Sequence, residues 1–384
     1  MRRFLVQVIL AAAWGFYLLF SPLAVPAGCG TTTSSDGGGD GGSGAGGETG
    51  GLVVFTPVGS VFPNIDLIDL EFLPGQGGEL IVIGQDGTVY YVTSGFSPLS
   101  DTASIDVLNS GEQGLLSVEA DPDYDSNRFI YLYFTLPDGS ANQVDRLTVT
   151  VDVDAGTFSL SDRRTIISFP KSDSPGPADN HNGGGMAFDE DGNLTIGVGD
   201  GGGDASADTD AAIGQDTTTR LAKILRVVPS RTNGTGGFSI PTGGNGCSEC
   251  TLPEIYSYGV RNPFTLAFGN GALFIGDVGA DAFEEVDLAD IGGLNFGWPL
   301  SEGPTDDPDF RTPIQSYSHT DTTFVDEDED ARNAALKLKQ HNGVVHPSGR
   351  NQSVMVGAFY AGSQYGSLLD NRLLYSEFYA EEDN

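Results

Sequence analysis

The chain of 384 residues is strongly acidic: 53 aspartates and glutamates stand against 18 lysines and arginines, for a formal net charge of −35. Such a charge repels phosphate backbones and argues strongly against nucleic acid as a partner. Glycine occurs 55 times and proline 20 times. This composition is typical of a β protein with many tight turns.

The N-terminus has the pattern of a secretory leader. Arg2 and Arg3 precede residues 4–20, which are apolar except for one glutamine. Cys29 follows a stretch of small residues, as at the processing site of a bacterial lipoprotein. We therefore predict a signal peptide over residues 1–28 and a lipid anchor at Cys29. An uncleaved membrane anchor stays open as the alternative, because the apolar run approaches the lower limit of a membrane span, about 17 residues.

The next segment, residues 29–51, consists almost entirely of glycine, serine, threonine and acids. Apart from Cys29 and Ala45 it has no apolar residues, so it cannot build a core, and we expect a tether. A lipid-anchored cysteine followed by a tether suits a domain held at the periplasmic side or the cell surface, with the membrane touched only through the lipid. We assign the folded domain to residues 52–384.

From residue 52 onward the sequence reads as short strands separated by turns. A weak internal repeat joins AFDEDGNLTIGVGD (187–200) to AFGNGALFIGDVG (267–279). Both copies read as Ala-Phe, a turn, an apolar strand and a Gly-Asp pair. Many short strands with recurring hairpins over such a length favour an all-β propeller over a sandwich.

One histidine stands out among the four in the chain. His181 lies on a glycine-rich turn, and Asp200 ends the strand-turn-strand unit that follows it. A histidine beside a carboxylate is the arrangement of a general base, because the carboxylate fixes the tautomer and stabilises the charged ring. A solvated loop histidine is the alternative that the residues alone leave open.

Cys247 and Cys250 form a CxxC pair without a second pair or a neighbouring histidine. In an exported protein a local disulfide is favoured over a redox role or half a metal site.

Four motifs, taken in order, resemble the soluble quinoprotein glucose dehydrogenase family, also called the glucose/sorbosone dehydrogenases. They are GEQGLLSVEADPDYDSNRFIYLYFT (111–135), HNGGGMAF with GVGDGGG (181–203), LPEIYSYGVRNPFTLAF (252–268) and LFIGDVGADAFEEVDLADIGGLNFGWPLSEG (273–303). The resemblance runs from about residue 55 to the C-terminus. It implies a six-bladed β-propeller that holds pyrroloquinoline quinone (PQQ) and Ca²⁺. It also implies oxidation of an aldose sugar to its lactone, with electrons passing to an acceptor such as a cytochrome or a quinone.

Carried over by motif, His181 is expected to be the base and Asp200 its orienting partner. Arg261 and Asn262 match positions that contact the quinone oxygens. A planar guanidinium suits a quinone that gains negative charge on reduction. A structural arginine between blades is the reading of Arg261 that its sequence context alone would favour.

The backbone carbonyls of Gly279 and Ala280 match positions that hold the catalytic Ca²⁺, a hard cation that prefers oxygen ligands.

Two departures from the family pattern concern residues that would face the cofactor's negative charge. Glu112 stands at a cofactor-binding position where the family carries glutamine, and Ala361 stands where active members carry a basic residue. Losing charge-assisted contacts weakens binding of a polycarboxylate.

These departures support a competing hypothesis: a non-catalytic cell-surface propeller that binds carbohydrate or protein and has lost the quinone site. The chain also ends soon after a predicted strand, which leaves a truncated reading frame or an incomplete last blade as alternatives.

Overall fold

The computed structural model describes residues 62, 66–174, 179–202, 213–319, 352–360 and 372–379. The predicted leader, the tether, Cys29 and Ala361 lie outside these residues. In the part that is described, strands dominate, and no helix has both the length and the apolar character needed to cross a membrane.

The first two blades are four-stranded antiparallel sheets in sequence order. The first consists of β1 (Leu67–Phe72), β2 (Leu80–Gly84), β3 (Thr88–Val92) and β4 (Pro98–Ser104). A short helix, α1 (Tyr124–Asn127), interrupts the second blade. That blade consists of β5 (Leu115–Ala120), β6 (Phe129–Thr135), β7 (Ala141–Asp152) and β8 (Thr157–Pro170). A 3₁₀ turn, Lys171–Asp173, follows it.

The third blade is completed by a strand that comes from much later in the chain. Its antiparallel part contains β9 (Met186–Phe188), β10 (Leu194–Val198), β11 (Lys223–Pro229), β12 (Phe238–Ser239) and β13 (Ile255–Tyr258). Strand β17 (Leu294–Asn295) follows the third strand of the next blade and pairs in parallel with β13. The segment between β16 and β18 of the fourth blade therefore supplies the outermost strand of the third blade.

The fourth blade and a hairpin complete the described strands. The blade contains β14 (Pro263–Gly269), β15 (Ala272–Asp277), β16 (Phe283–Ala289) and β18 (Gln315–Ser318). The hairpin consists of β19 (Gln352–Tyr360) and β20 (Arg372–Tyr379). The sequence repeat is confirmed in three dimensions, because its two copies form β9–β10 and β14–β15, the first two strands of successive blades.

Apolar clusters lie between successive sheets, as the stacking of propeller blades requires. Burial of each Leu, Ile or Phe side chain stabilises the folded state by roughly 1.5–3 kcal/mol. At each of the four boundaries one cluster has members from both sheets, for example Ile81 and Leu132, Tyr133 and Ile196, Ile224 and Leu273, and Phe274 and Val354. The hairpin thus packs on the fourth blade as the start of a fifth.

The prediction of six blades is wrong for the described residues, which form four blades and one two-stranded hairpin. The reason lies in the strand count. A blade needs four strands, and the residues after Ser318 that are described supply only β19 and β20. The all-β propeller itself is confirmed.

The first strand of each sheet faces a common central cavity. Residues of β1, β5, β14 and β19 line it, together with Gly185 and Met186 at the start of β9. Because neighbouring strands in a blade are antiparallel, the loops that enter first strands and leave second strands meet at one edge of the propeller. The candidate site lies at that edge.

Candidate active site

The predicted site residues come together from loops at this edge. Glu112 precedes β5, His181 precedes β9, Asp200 follows β10, Arg261 and Asn262 lie at the start of β14, and Gly279 and Ala280 follow β15. Their side chains and backbones are linked across blades two, three and four by the hydrogen bonds described below.

His181 and Asp200 form the predicted pair. The ring Nδ1 lies 2.8 Å from Asp200 Oδ1, and the side chain of Asp200 is only 3% exposed. On the other side of the ring, Arg261 Nη2 lies 2.8 Å from Nε2. An arginine can only donate, so Nε2 must accept, and the ring proton must lie on Nδ1. This neutral tautomer, with a lone pair at Nε2, is the one that a general base requires.

The backbone at His181 is held in an unusual conformation. Its φ is +45°, in the left-handed region that non-glycine residues rarely enter. The Glu112 carboxylate accepts the His181 N–H at 2.6 Å, and the His181 carbonyl accepts the N–H of Gly201. A Cβ at Gly199 would lie 1.9 Å from this carbonyl, so only glycine fits there. Glu112 therefore binds the loop of the candidate base in this structure.

Trp298 is a site residue that the sequence analysis missed. Its motif, NFGWP, is typical of a blade packing residue, and its side chain is indeed buried. However, the indole Nε1–H donates to Asp200 Oδ2 at 2.9 Å. The Arg261 guanidinium carbon lies 5.5 Å from the centre of an indole ring. Asp200 and Trp298 are 98 positions apart in the sequence, so no local pattern reveals this contact.

A buried carboxylate orients Arg261 and Asn262. Asp277 accepts the backbone N–H groups of Arg261 (2.8 Å) and Asn262 (2.6 Å). Burial raises the pKa of Asp277 to about 7, against the lowering effect of these two hydrogen bonds. The Asn262 amide oxygen accepts the N–H of Gly183, and Arg261 Nη1 donates to the Val278 carbonyl. Both predicted quinone contacts are thus anchored in the fourth blade beside the His181 loop.

Lys171, in the 3₁₀ turn after the second blade, brings a further cation to this edge. Its Nζ donates to Gln113 Oε1 (2.9 Å) and to Asn182 Oδ1 (3.0 Å), next to Glu112 and His181 respectively. Burial lowers the pKa of Lys171 to about 8. No motif marked this lysine. The only sequence signal was the scarcity of lysine itself, with four in the chain.

The loop after β15 has the features of an oxygen-rich cation site. Glu302 accepts the N–H groups of Ala280, Ala282 and Phe283, and Glu284 accepts that of Gly279. A Cβ at Gly279 would lie 1.6 Å from the Phe283 carbonyl, so the tight turn requires glycine. No residue in the described ranges donates a hydrogen bond to the carbonyl oxygens of Gly279 or Ala280.

Behind this loop, three buried carboxylates lie close together in β15 and β16. Asp277, Glu285 and Asp287 each place an oxygen within 4.8 Å of the others. Burial raises the pKa of Glu285 and of Asp287, and repulsion from Asp277 raises both pKa values further. Both oxygens of Asp287 lack a hydrogen-bond partner among the described residues.

One smaller expectation, on the CxxC pair, is also decided. Cys247 and Cys250 are joined in a disulfide with Cα atoms 5.4 Å apart, which confirms the favoured interpretation of the CxxC pair. Beside the loop after β15, His319 pairs with Glu284 through Nε2 at 2.9 Å. The hydrogen bond to Glu284 raises the pKa of His319.

Comparison with known proteins places this geometry in context. The chain is 30% identical over 222 residues to the HIPL1 protein of Arabidopsis thaliana, an alignment that covers 53% of this chain and 29% of that one. It is 30% identical over 254 residues to the aldose sugar dehydrogenase YliI of Escherichia coli, covering 64% of this chain and 62% of that one. The chain therefore spans less than two thirds of the length of either relative.

Among solved structures, the chain is similar to the PQQ-bound form of an aldose sugar dehydrogenase from Streptomyces coelicolor. The sequences are 29% identical, the TM-score is 0.50, and the match covers 66% of this chain and 68% of that one. The glucose/sorbosone dehydrogenase family matches residues 66–343, which include every described residue of the candidate site. The chain belongs to the glucose/sorbosone dehydrogenase family.

Proposed function

We propose that this protein is a PQQ- and Ca²⁺-dependent dehydrogenase that oxidises an aldose sugar to its lactone. The proposal rests on the hydrogen bonds of the His181 ring in a chain of this family. Nδ1–H donates to Asp200, and Nε2 is left as the acceptor that a general base needs. The dehydrogenase names and the PQQ belong to the relatives, and they support the proposal for this chain.

The donors at the propeller edge fit an anionic quinone. Arg261 and Lys171 bring two cationic groups to the same edge, and Arg261 Nε is buried without a hydrogen-bond partner among the described residues. A planar guanidinium with an unused donor suits a quinone oxygen that gains charge. We expect Arg261 and Asn262 to hold the quinone oxygens and Lys171 to face a carboxylate.

The loop after β15 fits Ca²⁺. The carbonyl oxygens of Gly279 and Ala280 are hard ligands that accept no hydrogen bond from the described residues. The carboxylates of Glu284 and Glu302 hold the loop from its N–H side.

When bound, PQQ supplies an acceptor for the two electrons and the hydrogen that leave the sugar's hemiacetal carbon. The chain's own part is to remove the hydroxyl proton. His181 Nε2 takes that proton, and the C–O bond becomes the lactone carbonyl as the C–H bond breaks. Asp200 stabilises the imidazolium through Nδ1, with its own charge held by Trp298 and by the N–H of Gly202.

Arg261 has to change partners in this scheme. Its Nη2 donates to His181 Nε2 and so occupies the place where a substrate hydroxyl would bind. We expect the guanidinium to move from His181 to the quinone when the site is loaded, which frees Nε2 for the sugar.

The test is reconstitution of the purified protein with PQQ and Ca²⁺, followed by dye reduction with a panel of aldoses. We expect turnover in the wild type. We expect His181→Gln to reduce turnover by a factor on the order of 10³ while PQQ remains bound. Absence of turnover and loss of PQQ absorbance on desalting would instead favour the competing hypothesis, a non-catalytic propeller at the cell surface.

We further propose that the protein is exported and lipid-anchored at Cys29, and that a cytochrome or a quinone reoxidises the cofactor. The sequence of residues 1–51 supports export and the lipid anchor, whereas the acceptor is what the resemblance to the dehydrogenase family implies. A Cys29→Ala variant should lose detergent partitioning and labelling by a radioactive fatty acid, whereas the wild type should show both.

A further inference from the structure

Four side chains at the propeller edge form a closed ring. Arg261 Nη2 lies 2.8 Å from His181 Nε2, and His181 Nδ1 lies 2.8 Å from Asp200 Oδ1. Asp200 Oδ2 accepts from Trp298 at 2.9 Å, and the Trp298 indole lies under the Arg261 guanidinium. Trp298 thus contacts the partners on both sides of the candidate base, and among the described residues it makes no hydrogen bond to the base itself.

The two oxygens of Asp200 have different partners. Oδ1 accepts from His181 and from the N–H of Gly202. Among the described residues, Trp298 is the sole donor to Oδ2. Because the carboxylate is almost fully buried, losing that donor leaves Oδ2 unsatisfied and removes the contact that fixes the plane of the group.

Trp298 is itself held from both ends of its backbone. Its N–H donates to the Gly259 carbonyl at 2.9 Å, and its carbonyl accepts from Gln215 Nε2 at 2.8 Å. The residue as a whole is only 7% exposed. The indole therefore has little freedom, and the position of the Asp200 carboxylate follows from it.

We propose that Trp298 is a positioning residue for the candidate base. Its indole N–H holds the Asp200 carboxylate so that Oδ1 remains hydrogen-bonded to His181 Nδ1. Its ring packs against the Arg261 guanidinium, which contacts the other nitrogen of the imidazole. Nothing in the proposed reaction requires Trp298 to touch the sugar.

The experiment compares Trp298→Phe with a matched control, Tyr131→Phe. Each change removes one donor to a buried aspartate, since the Tyr131 hydroxyl donates to Asp121 Oδ2 at 2.9 Å in the second blade. The first measurement is NMR of the protein without cofactor, labelled with ¹⁵N-histidine, in which His181→Gln identifies the His181 Nδ1–H signal. We expect Trp298→Phe to shift this signal and to speed its exchange with solvent about tenfold, and Tyr131→Phe to leave it unchanged.

The second measurement is steady-state kinetics after reconstitution, and this arm rests on the proposed function. A displaced base impairs the chemical step more than sugar binding. We therefore expect kcat to fall about tenfold in Trp298→Phe, with KM within about twofold.

An unchanged His181 signal in folded Trp298→Phe overturns the inference, whatever the kinetics. Should that variant not fold, 3-benzothienylalanine at position 298 keeps the ring shape without the N–H, and the same criterion applies to it. A shifted His181 signal in a protein with no aldose turnover leaves the inference standing and counts against the proposed function.

Discussion

Two buried aspartates in neighbouring blades have opposite surroundings. Asp200, at the end of β10, is 2% exposed, and its carboxylate meets His181, the N–H of Gly202 and the indole of Trp298. Asp287, in β16, is 0% exposed, and its nearest charged neighbours in the carboxylate cluster are Glu285 and Asp277.

The contrast shows that burial alone does not define a functional carboxylate. Donors compensate the loss of water around Asp200, so its charge can act on a ring nitrogen. Around Asp287, burial and two carboxylates raise the pKa, and the described residues offer its oxygens no donor. The Asp200 carboxylate is therefore compensated by its donors, whereas the Asp287 carboxylate destabilises the fold when it ionises.

The largest expected effect is on catalysis at Asp200. An asparagine there cannot stabilise the imidazolium, and its amide N–H₂ favours the wrong histidine tautomer, so Asp200→Asn should lower kcat by a factor on the order of 10³–10⁴. Asp287→Asn should leave kcat within about threefold. Dye-reduction kinetics on both reconstituted variants measure the difference. Similar losses in the two variants would remove the distinction between the aspartates.

A backbone change tests the same region without altering any charge. Gly199→Ala places a Cβ against the His181 carbonyl and should destabilise the fold by about 2–4 kcal/mol through overpacking. Gly95→Ala is the matched control, because its nearest contact would be a side-chain oxygen at 3.9 Å. Urea denaturation followed by circular dichroism gives both values. Equal stability of the two variants would show that the loop tolerates a side chain at position 199.

The third effect concerns stability and pH. Because the pKa of Asp287 is raised in the folded state, the folded protein binds the proton more tightly than the unfolded chain does. Its contribution to stability is therefore present at low pH and is lost as the pH rises from about 4 through the folded pKa. Asp287→Asn should be more stable than the wild type at pH 8 by roughly 1–3 kcal/mol, with a smaller difference at pH 5.

Urea titrations at both pH values, with EDTA present, measure this effect. A variant that is less stable than the wild type at pH 8 would show that the Asp287 carboxylate is compensated in solution.

A fourth effect is expected on cofactor affinity at Lys171. Removing one charge-assisted contact costs roughly 1.5–3 kcal/mol, so Lys171→Met should weaken PQQ binding by about tenfold or more. Lys171→Arg should recover part of the affinity.

The affinity of the wild type for PQQ should also depend on pH. Because burial lowers the pKa of Lys171 to about 8, this affinity should fall as the pH rises above 8. Fluorescence titration with PQQ measures each value, and equal affinity of Lys171→Met and wild type would exclude the contact.

Much of the fold and half of the site could be predicted from the sequence. The repeat predicted β9–β10 and β14–β15, because alternating apolar residues and turn glycines are local signals. His181 and Asp200 were predicted as a pair because only one hairpin separates them. The number of blades was not predicted correctly, because the described residues after Ser318 supply only β19 and β20, whereas a complete blade needs four strands.

Trp298 and Lys171 could not be found in the same way. Their contacts with Asp200 and Asn182 depend on how separate sheets are placed against one another, and no local period records that placement. Glu112 was predicted at the site, but the contact with the His181 backbone depends on a left-handed φ that the sequence HNGGG does not specify.

The return of β17 to the third blade has a consequence for the order in which the protein forms during synthesis. Asp200 leaves the ribosome long before Leu294 and Asn295 can pair with Ser257 and Tyr258. Trp298 follows directly after that pairing, so the indole reaches Asp200 only once the fourth blade has largely emerged. A nascent chain that ends before this strand would hold its histidine and aspartate on an unfinished edge, which makes the candidate site one of the last parts of these blades to mature.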